Sequence, residues 1–430
     1  MTDTTDRPAS GGDWVARFPI YYGWVILAAG TLGVTMTGPG QTYIVSMFIE
    51  PLIRDLGLSR SVVSTLYMIG TLGNAVLLQA AGVGRIIDRR GPRIVASLSA
   101  ALLGGACIFM GFVSTAAMLA IGFVALRFFG QGSLSLASST MINQWWVRRR
   151  GAIRGLQGSV TAAITSILPG LVLALIGAIG WRPAYAVLGC ASIVVTAPIA
   201  FLLFRQRPED HGLSPDGRSD DASRGSAPPD AEVHFSLGQA IRTPLFWVLA
   251  CGTATMSMLG TGLIFHMESI VTDQGLAASI AAAVFVPLGL TQAILRLPVG
   301  IVVDLIPPRF VLAVGLVLQA VVLWMAPRLT TTTSALVYGG VFGTMQVAWG
   351  ATGAVMWAKY FGRLHLGSIT GAAISIAIVG TALGPLAMAL ARDLMGTYAV
   401  FFNLSAFLPL ALAVGCLLVR PPIAPPQCAS

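Results

Sequence analysis

Two arginines lie where a charge is expensive. Arg296 falls inside the apolar run Leu276–Val303, and Arg127 lies at similar depth in an earlier run. A cation at bilayer depth costs about 2.5–3.5 kcal/mol on insertion scales, so it faces a cavity or a partner. No acid is read at matching depth, which predicts that an anion from outside the chain neutralises Arg296. The planar guanidinium fork suits a carboxylate better than a lysine ammonium would. Arg127 has two readings. It either engages a carboxylate or a moving proton, or it hydrogen-bonds the carbonyls of the first span. The adjacent Gly130 and Gly132 imply close helix contact and favour the second. His266 is the only histidine of four read inside a span. Its reference pKa of about 6.5 makes it a proton-coupling candidate, and a bond to a neighbouring helix explains it equally well. Tyr43, Ser135, Gln292 and Trp349 are candidate donors or walls around Arg296, each open to a plain packing role.

These residues need elements to hold them, and composition says which. Hydrophobic residues make up 55% of the chain and charged ones 10%, against about a quarter charged in soluble domains. Apolar runs of about 20 residues span roughly 30 Å of hydrocarbon as helices, and runs this continuous exclude a barrel. Twelve spans are expected. The first is placed at Ile20–Met47, the seventh at Leu245–Ser269 and the eighth at Leu276–Val303. The chain therefore divides into a tail (1–19), a six-helix half (20–204), a linker (205–243), a second six-helix half (244–419) and a second tail (420–430). The linker is rich in Pro, Ser, Asp and Gly and cannot bury enough apolar area to fold alone. With the N-terminus cytoplasmic, nineteen of the 26 Lys and Arg lie inside and five outside, as the positive-inside rule requires. This predicts a multi-pass protein of the cell (inner) membrane with both termini cytoplasmic. The same dispersal over short loops argues against nucleic acid as a partner. The five cysteines show no metal-binding spacing, and no metal or cofactor is expected.

The two halves echo each other. Gly84 to Arg93 follows the second span and Gly300 to Arg309 follows the eighth, each with Asp four residues after the Gly and Arg five after that. Asp88, Arg89, Arg93, Asp304 and Arg309 are read as gating residues, because charge-assisted contacts at helix ends latch one face of a bundle. Gly84 and Gly300 are expected to permit close helix approach.

Twelve spans, a central linker and this duplicated motif resemble the major facilitator superfamily over nearly the whole chain. The Arg127-Phe128-Phe129-Gly130-Gln131-Gly132 run is similar to a signature of that superfamily. Arg296-Leu297-Pro298-Val299-Gly300 to Asp304 resembles span eight of the monocarboxylate transporters and oxalate–formate antiporters, as do Trp24 and the Tyr43–Pro51 stretch. The resemblance implies transport by rocking one half against the other, with Arg296 holding the substrate carboxylate. Two departures narrow it. Gln292 stands where animal monocarboxylate transporters carry an Asp that could carry the coupling proton, and an amide cannot titrate. Ala377 stands where the antiporters carry a lysine, so a monoanion fits better than a dianion.

The expectation is thus a monomeric secondary transporter of small organic monoanions, of the lactate or pyruvate type, moved together with a proton. An organic anion exchanger and a drug exporter are the alternatives. No nucleophile–base pair or nucleotide loop supports an enzyme.

Overall fold

A bilayer leaves no water for backbone groups, so every long apolar run closes its own hydrogen bonds as a helix. The structure, a computed structural model, describes residues 14–146, 150–217, 235–362 and 366–421. No strand occurs among the described residues. Ten of their helices are long and apolar enough to cross a membrane. The broken first span and the thirty-residue helix Thr332–Phe361 complete an all-helical protein of twelve spans in two six-helix halves.

In the first half, span one is split into Gly23–Thr35 and Thr42–Leu56 by the 3-10 turn Gly38–Gly40. It extends beyond the expected end at Met47. Span two is Arg60–Ala80 and span three Val83–Gly111. Span four runs through a π-helical stretch, Arg127–Leu134, between Ala116–Leu126 and Ser135–Trp145. Span five is Arg150–Ile179, and span six comprises Trp181–Ala191, Ser192–Thr196 and Ala197–Leu203.

The second half opens with span seven, Pro244–Phe265, capped by the Thr243 side chain. It stops earlier than expected: His266 ends it, and a separate short helix, Met267–Asp273, follows. Spans eight to twelve are Ala278–Leu305, Pro308–Met325, Thr332–Phe361, Leu366–Met395 and the pair Ala399–Ser405 with Phe407–Leu418. Span five lies along span eight, and span two along span eleven, which joins the halves side by side.

The linker is docked at both ends. Tyr21 Oη donates to the carbonyls of Trp145 and Ser214, at 3.1 and 3.2 Å, and Trp145 Nε1 donates to Arg205 O at 3.0 Å. On the other half, Phe235 N donates to Phe361 O at 3.0 Å. A capping box of Ser236 and Gln239 then starts the turn Leu237–Ala240 that leads into span seven. All these contacts lie on the face that carries the described chain ends.

The duplicated motif staples each half internally. The Arg93 guanidinium stacks over the Phe201 ring of span six at 4.1 Å. Arg309, at the start of span nine, donates to Val419 O just past span twelve, and its backbone N–H donates to Tyr360 Oη at 3.2 Å. Arg89 is exposed. The side chains of Asp88 and Asp304 lie outside the described residues. A Cβ at Gly84 or Gly300 would meet open space, so neither glycine serves close helix approach as expected.

Candidate anion-binding site

A cavity of about 250 Å³ lies between the halves, walled by spans one and five on one side and spans seven, eight and ten on the other. The break in span one shapes it. Gly38-Pro39-Gly40 interrupts the helix, so that Thr37, Gln41 and Tyr43 meet the cavity, and Gln41 Nε2 donates to Thr37 Oγ1 at 3.0 Å. Span five contributes Thr161, Thr165 and Ser166, span eight Gln292 and Arg296, and span ten Gln346. Arg296 is the one charged residue in this lining, which contains neither carboxylate nor histidine.

Arg296 is held from its own helix. Its Nη2 donates to Gln292 Oε1, one turn earlier, at 2.9 Å, the one hydrogen bond that it makes among the described residues. Gly158 of span five makes room for the guanidinium, since a Cβ there would run into Nη1. Beside it, Ser159 Oγ donates to Ala293 O at 3.1 Å and fixes span five against span eight. Thr161 lines the same cavity, and its Oγ1 is buried without a hydrogen-bond partner among the described residues. A cation with donors to spare and an orphan hydroxyl offer a small oxyanion the bonds that the protein leaves unmade.

Of the expected site residues, the fold brings Arg296, Gln292 and Tyr43 together. Trp349 lies elsewhere, in a mainly apolar cavity of about 210 Å³ with Thr253, Met356, Trp357 and Ala377. Ser135 opens the last helical stretch of span four and is not part of the Arg296 lining. The structure adds Thr37, Gln41, Thr161, Thr165, Ser166 and Gln346, none singled out from sequence. Their one visible signal is a polar side chain on an apolar helix. Hydroxyls that bond their own helix, as Ser166 does to Ala163 O at 2.6 Å, show the same signal.

Arg127 is buried, at 1% exposure, and fully engaged. Its Nη1 donates to Gly40 O at 3.2 Å, Nε and Nη2 donate to Thr71 Oγ1 at 3.2 and 3.0 Å, and the guanidinium lies 4.5 Å from the Tyr67 ring centre. Close approach makes this possible: a Cβ on Gly40 would strike the Leu126 carbonyl. His266 is buried as well, with Nε2 at 2.8 Å from Pro385 O of span eleven and its ring against Tyr398. A carbonyl only accepts, so Nε2 carries the proton of this bond. His266 does not line the Arg296 cavity.

A family profile described as Major Facilitator Superfamily matches residues 30–351. The chain is 26% identical to human "Monocarboxylate transporter 11" over 434 residues, covering 96% of this chain and 84% of that one. It is 25% identical to the "Oxalate:formate antiporter" of Oxalobacter formigenes, over 60% of this chain and 57% of the relative. A 166-residue stretch is 31% identical to a "Probable sulfoacetate transporter" of Cupriavidus necator, 37% of each protein. Among solved structures, a bacterial homologue of the human lysosomal transporter Spinster, in an inward-facing unoccupied conformation, superposes with a TM-score of 0.65. It shares 18% identity and covers 93% of this chain and 95% of its own.

Proposed function

Since the chain belongs to the Major Facilitator Superfamily, a family of membrane transporters and not of enzymes, we propose that its substrate is a small organic monoanion whose carboxylate is held by Arg296. The observation that carries this reading is the single cation in a cavity lining free of acids. A carboxylate there gains charge-assisted hydrogen bonds from a fork that the protein occupies only through Gln292. Size points the same way. About 250 Å³ is below the roughly 300–1,000 Å³ typical of drug-sized sites, and a cation repels cationic drugs. The names of the three relatives all refer to small organic acids.

In this reading the two halves rock about the cavity and expose Arg296 to each face in turn. The arginine-rich face with the chain ends is cytoplasmic and the opposite face is outer. The motif residues Asp88, Arg89, Arg93, Asp304 and Arg309 govern the cytoplasmic side, with Arg93 and Arg309 acting through the staples within each half. Symport with a proton keeps the transported charge at zero. Exchange of one anion for another is the second reading, favoured by a lining that contains no group titrating near neutral pH.

Uptake of labelled lactate and pyruvate into proteoliposomes separates these readings. Symport predicts uptake that rises when the outside is acidified. Exchange predicts uptake that needs an anion loaded inside and ignores the pH gradient. Failure of every small monocarboxylate to enter or to compete overturns the substrate class.

A further inference from the structure

The outer mouth contains a carboxyl group that the cavity does not use. Glu268 stands in the first turn of the short helix Met267–Asp273, beyond the crossing helix of span seven. It is 9% exposed, and its Oε2 is buried without a hydrogen-bond partner. An ionised carboxylate in that position bears a desolvation cost unless it is paired. Its surroundings do not pair it. Arg60, at the start of span two, holds Glu50 of span one at 2.6 Å, and Arg392 of span eleven holds Asp273 at 2.8 Å. Arg54 of span one is the remaining cation that acts on it. Nearby on its own stretch of chain are His266, bonded to Pro385 O, and Ser269, bonded to Tyr398 Oη at 3.1 Å. The facing turns of span eight, 278–287, contain no titratable residue.

Closure between the halves covers Glu268 on one side, where Glu50, Arg54 and Arg60 of the other half act on it. Its helix packs on the Thr42–Leu56 segment of span one, from the other half. Ser61, in the first turn of span two, gives both its backbone N–H, at 3.1 Å, and its hydroxyl to the Asp393 carboxylate near the end of span eleven. Tyr67 of span two meets Phe265 of span seven with ring centres 4.5 Å apart. Opening this mouth would return Glu268 to water.

We propose that Glu268 is a proton-binding site filled from the outer solution, and that the outer mouth closes as seen here only when that proton is bound. Burial, and after it the Glu50 carboxylate, pushes the Glu268 carboxyl up to about 7 in the closed mouth, against the pull of Arg54 and Arg60. In water a glutamate titrates near about 4.3. The closed mouth therefore binds the proton more tightly than the open one. Its advantage is complete below about pH 4.3 and falls roughly tenfold per pH unit until it is lost above about 7. The proton returns to the outer side on reopening, so it sets the pH dependence of closure without itself crossing. The inference is independent of what Arg296 binds.

The test uses full-length protein, with its native cysteines replaced, in proteoliposomes without substrate. Spin labels at Val62→Cys and Leu394→Cys report the width of the mouth by electron–electron distance measurement between pH 5 and 8. The ratio of closed to open populations should fall about tenfold per pH unit from 5 to 7. Glu268→Gln, which mimics the protonated side chain, should stay closed across the range. Glu268→Asp, which still titrates, should keep a pH-dependent ratio and guards against a merely structural effect of the Gln variant. A wild-type ratio that does not change with pH, or a Glu268→Gln protein with the full wild-type response, overturns the proposal. Because no substrate is present, neither result bears on the Arg296 reading.

Discussion

Arg127 and Arg296 both stand well inside their spans, and they are opposites. Arg127 uses all three guanidinium nitrogens on Gly40 O and Thr71 Oγ1 and lies over the Tyr67 ring. Among the described residues Arg296 makes one hydrogen bond, to Gln292; its side chain lines a cavity, with Nη1 against Gly158. Cost at bilayer depth is common to both, so depth alone does not identify a binding site. The count of unmade bonds separates them. Arg127 is satisfied by its own half and ties spans one, two and four together. In the proposed reading, Arg296 is left for a ligand.

The largest expected effect breaks the contrast at its open end. Arg296→Ala should weaken binding of the transported monoanion by about thirtyfold or more, since truncating one partner of a hydrogen-bonded charge pair enclosed with its ligand costs about 2–5 kcal/mol. Arg296→Lys keeps the charge, loses the fork and should recover only part of that. Equilibrium binding to purified protein, with thermal unfolding as control, reads both. The mirror experiment is Arg127→Met. Its loss strands Gly40 O and leaves Thr71 Oγ1 only the bond that it donates to Tyr67 O, so the fold should lose about 1–3 kcal/mol. The folded fraction should bind with wild-type affinity. Weakened binding by a well-folded Arg127→Met protein would erase the distinction.

Smaller perturbations sharpen it. Gly158→Ala places a methyl group where Arg296 Nη1 now lies, and a flexible side-chain end moves readily. Affinity should fall about tenfold with little change in melting temperature, because displacing a recognition group costs binding more than packing. Thr161→Val removes the orphan hydroxyl at nearly constant shape. A hydroxyl bond to a carboxylate is worth about 1.5–3 kcal/mol, so affinity should drop about tenfold or somewhat more. An unchanged constant would remove Thr161 from the site.

The fold was legible in the sequence because hydrocarbon thickness fixes the length of an apolar run. Twelve runs meant twelve spans. The same counting hid local breaks. It joined Met267, Glu268 and Ser269 to span seven, although His266 ends that helix, and so passed over a buried carboxyl group. The Gly38-Pro39-Gly40 break in span one was visible as residues but not as a cavity wall. The site was only half legible for a related reason. Arg296 stands out by charge, and Gln292 lies one turn before it. Gln346 and Trp349 are one turn apart on span ten, yet they line different cavities. A helix that is apolar all round gives no moment from which to read its facing. Sequence therefore located the charge, and only packing showed what surrounds it.

The central claim is that Arg296, and not Arg127, meets the substrate carboxylate. Protein labelled with nitrogen-15 arginine allows the guanidinium signals of both to be followed at once, assigned through Arg296→Lys and Arg127→Lys. Titration with L-lactate or pyruvate should shift the Arg296 signals saturably and leave those of Arg127 in place. The uncharged amide lactamide should shift neither. Saturable binding of the acid with Arg296 unmoved, or an equal response to the amide, would contradict the account.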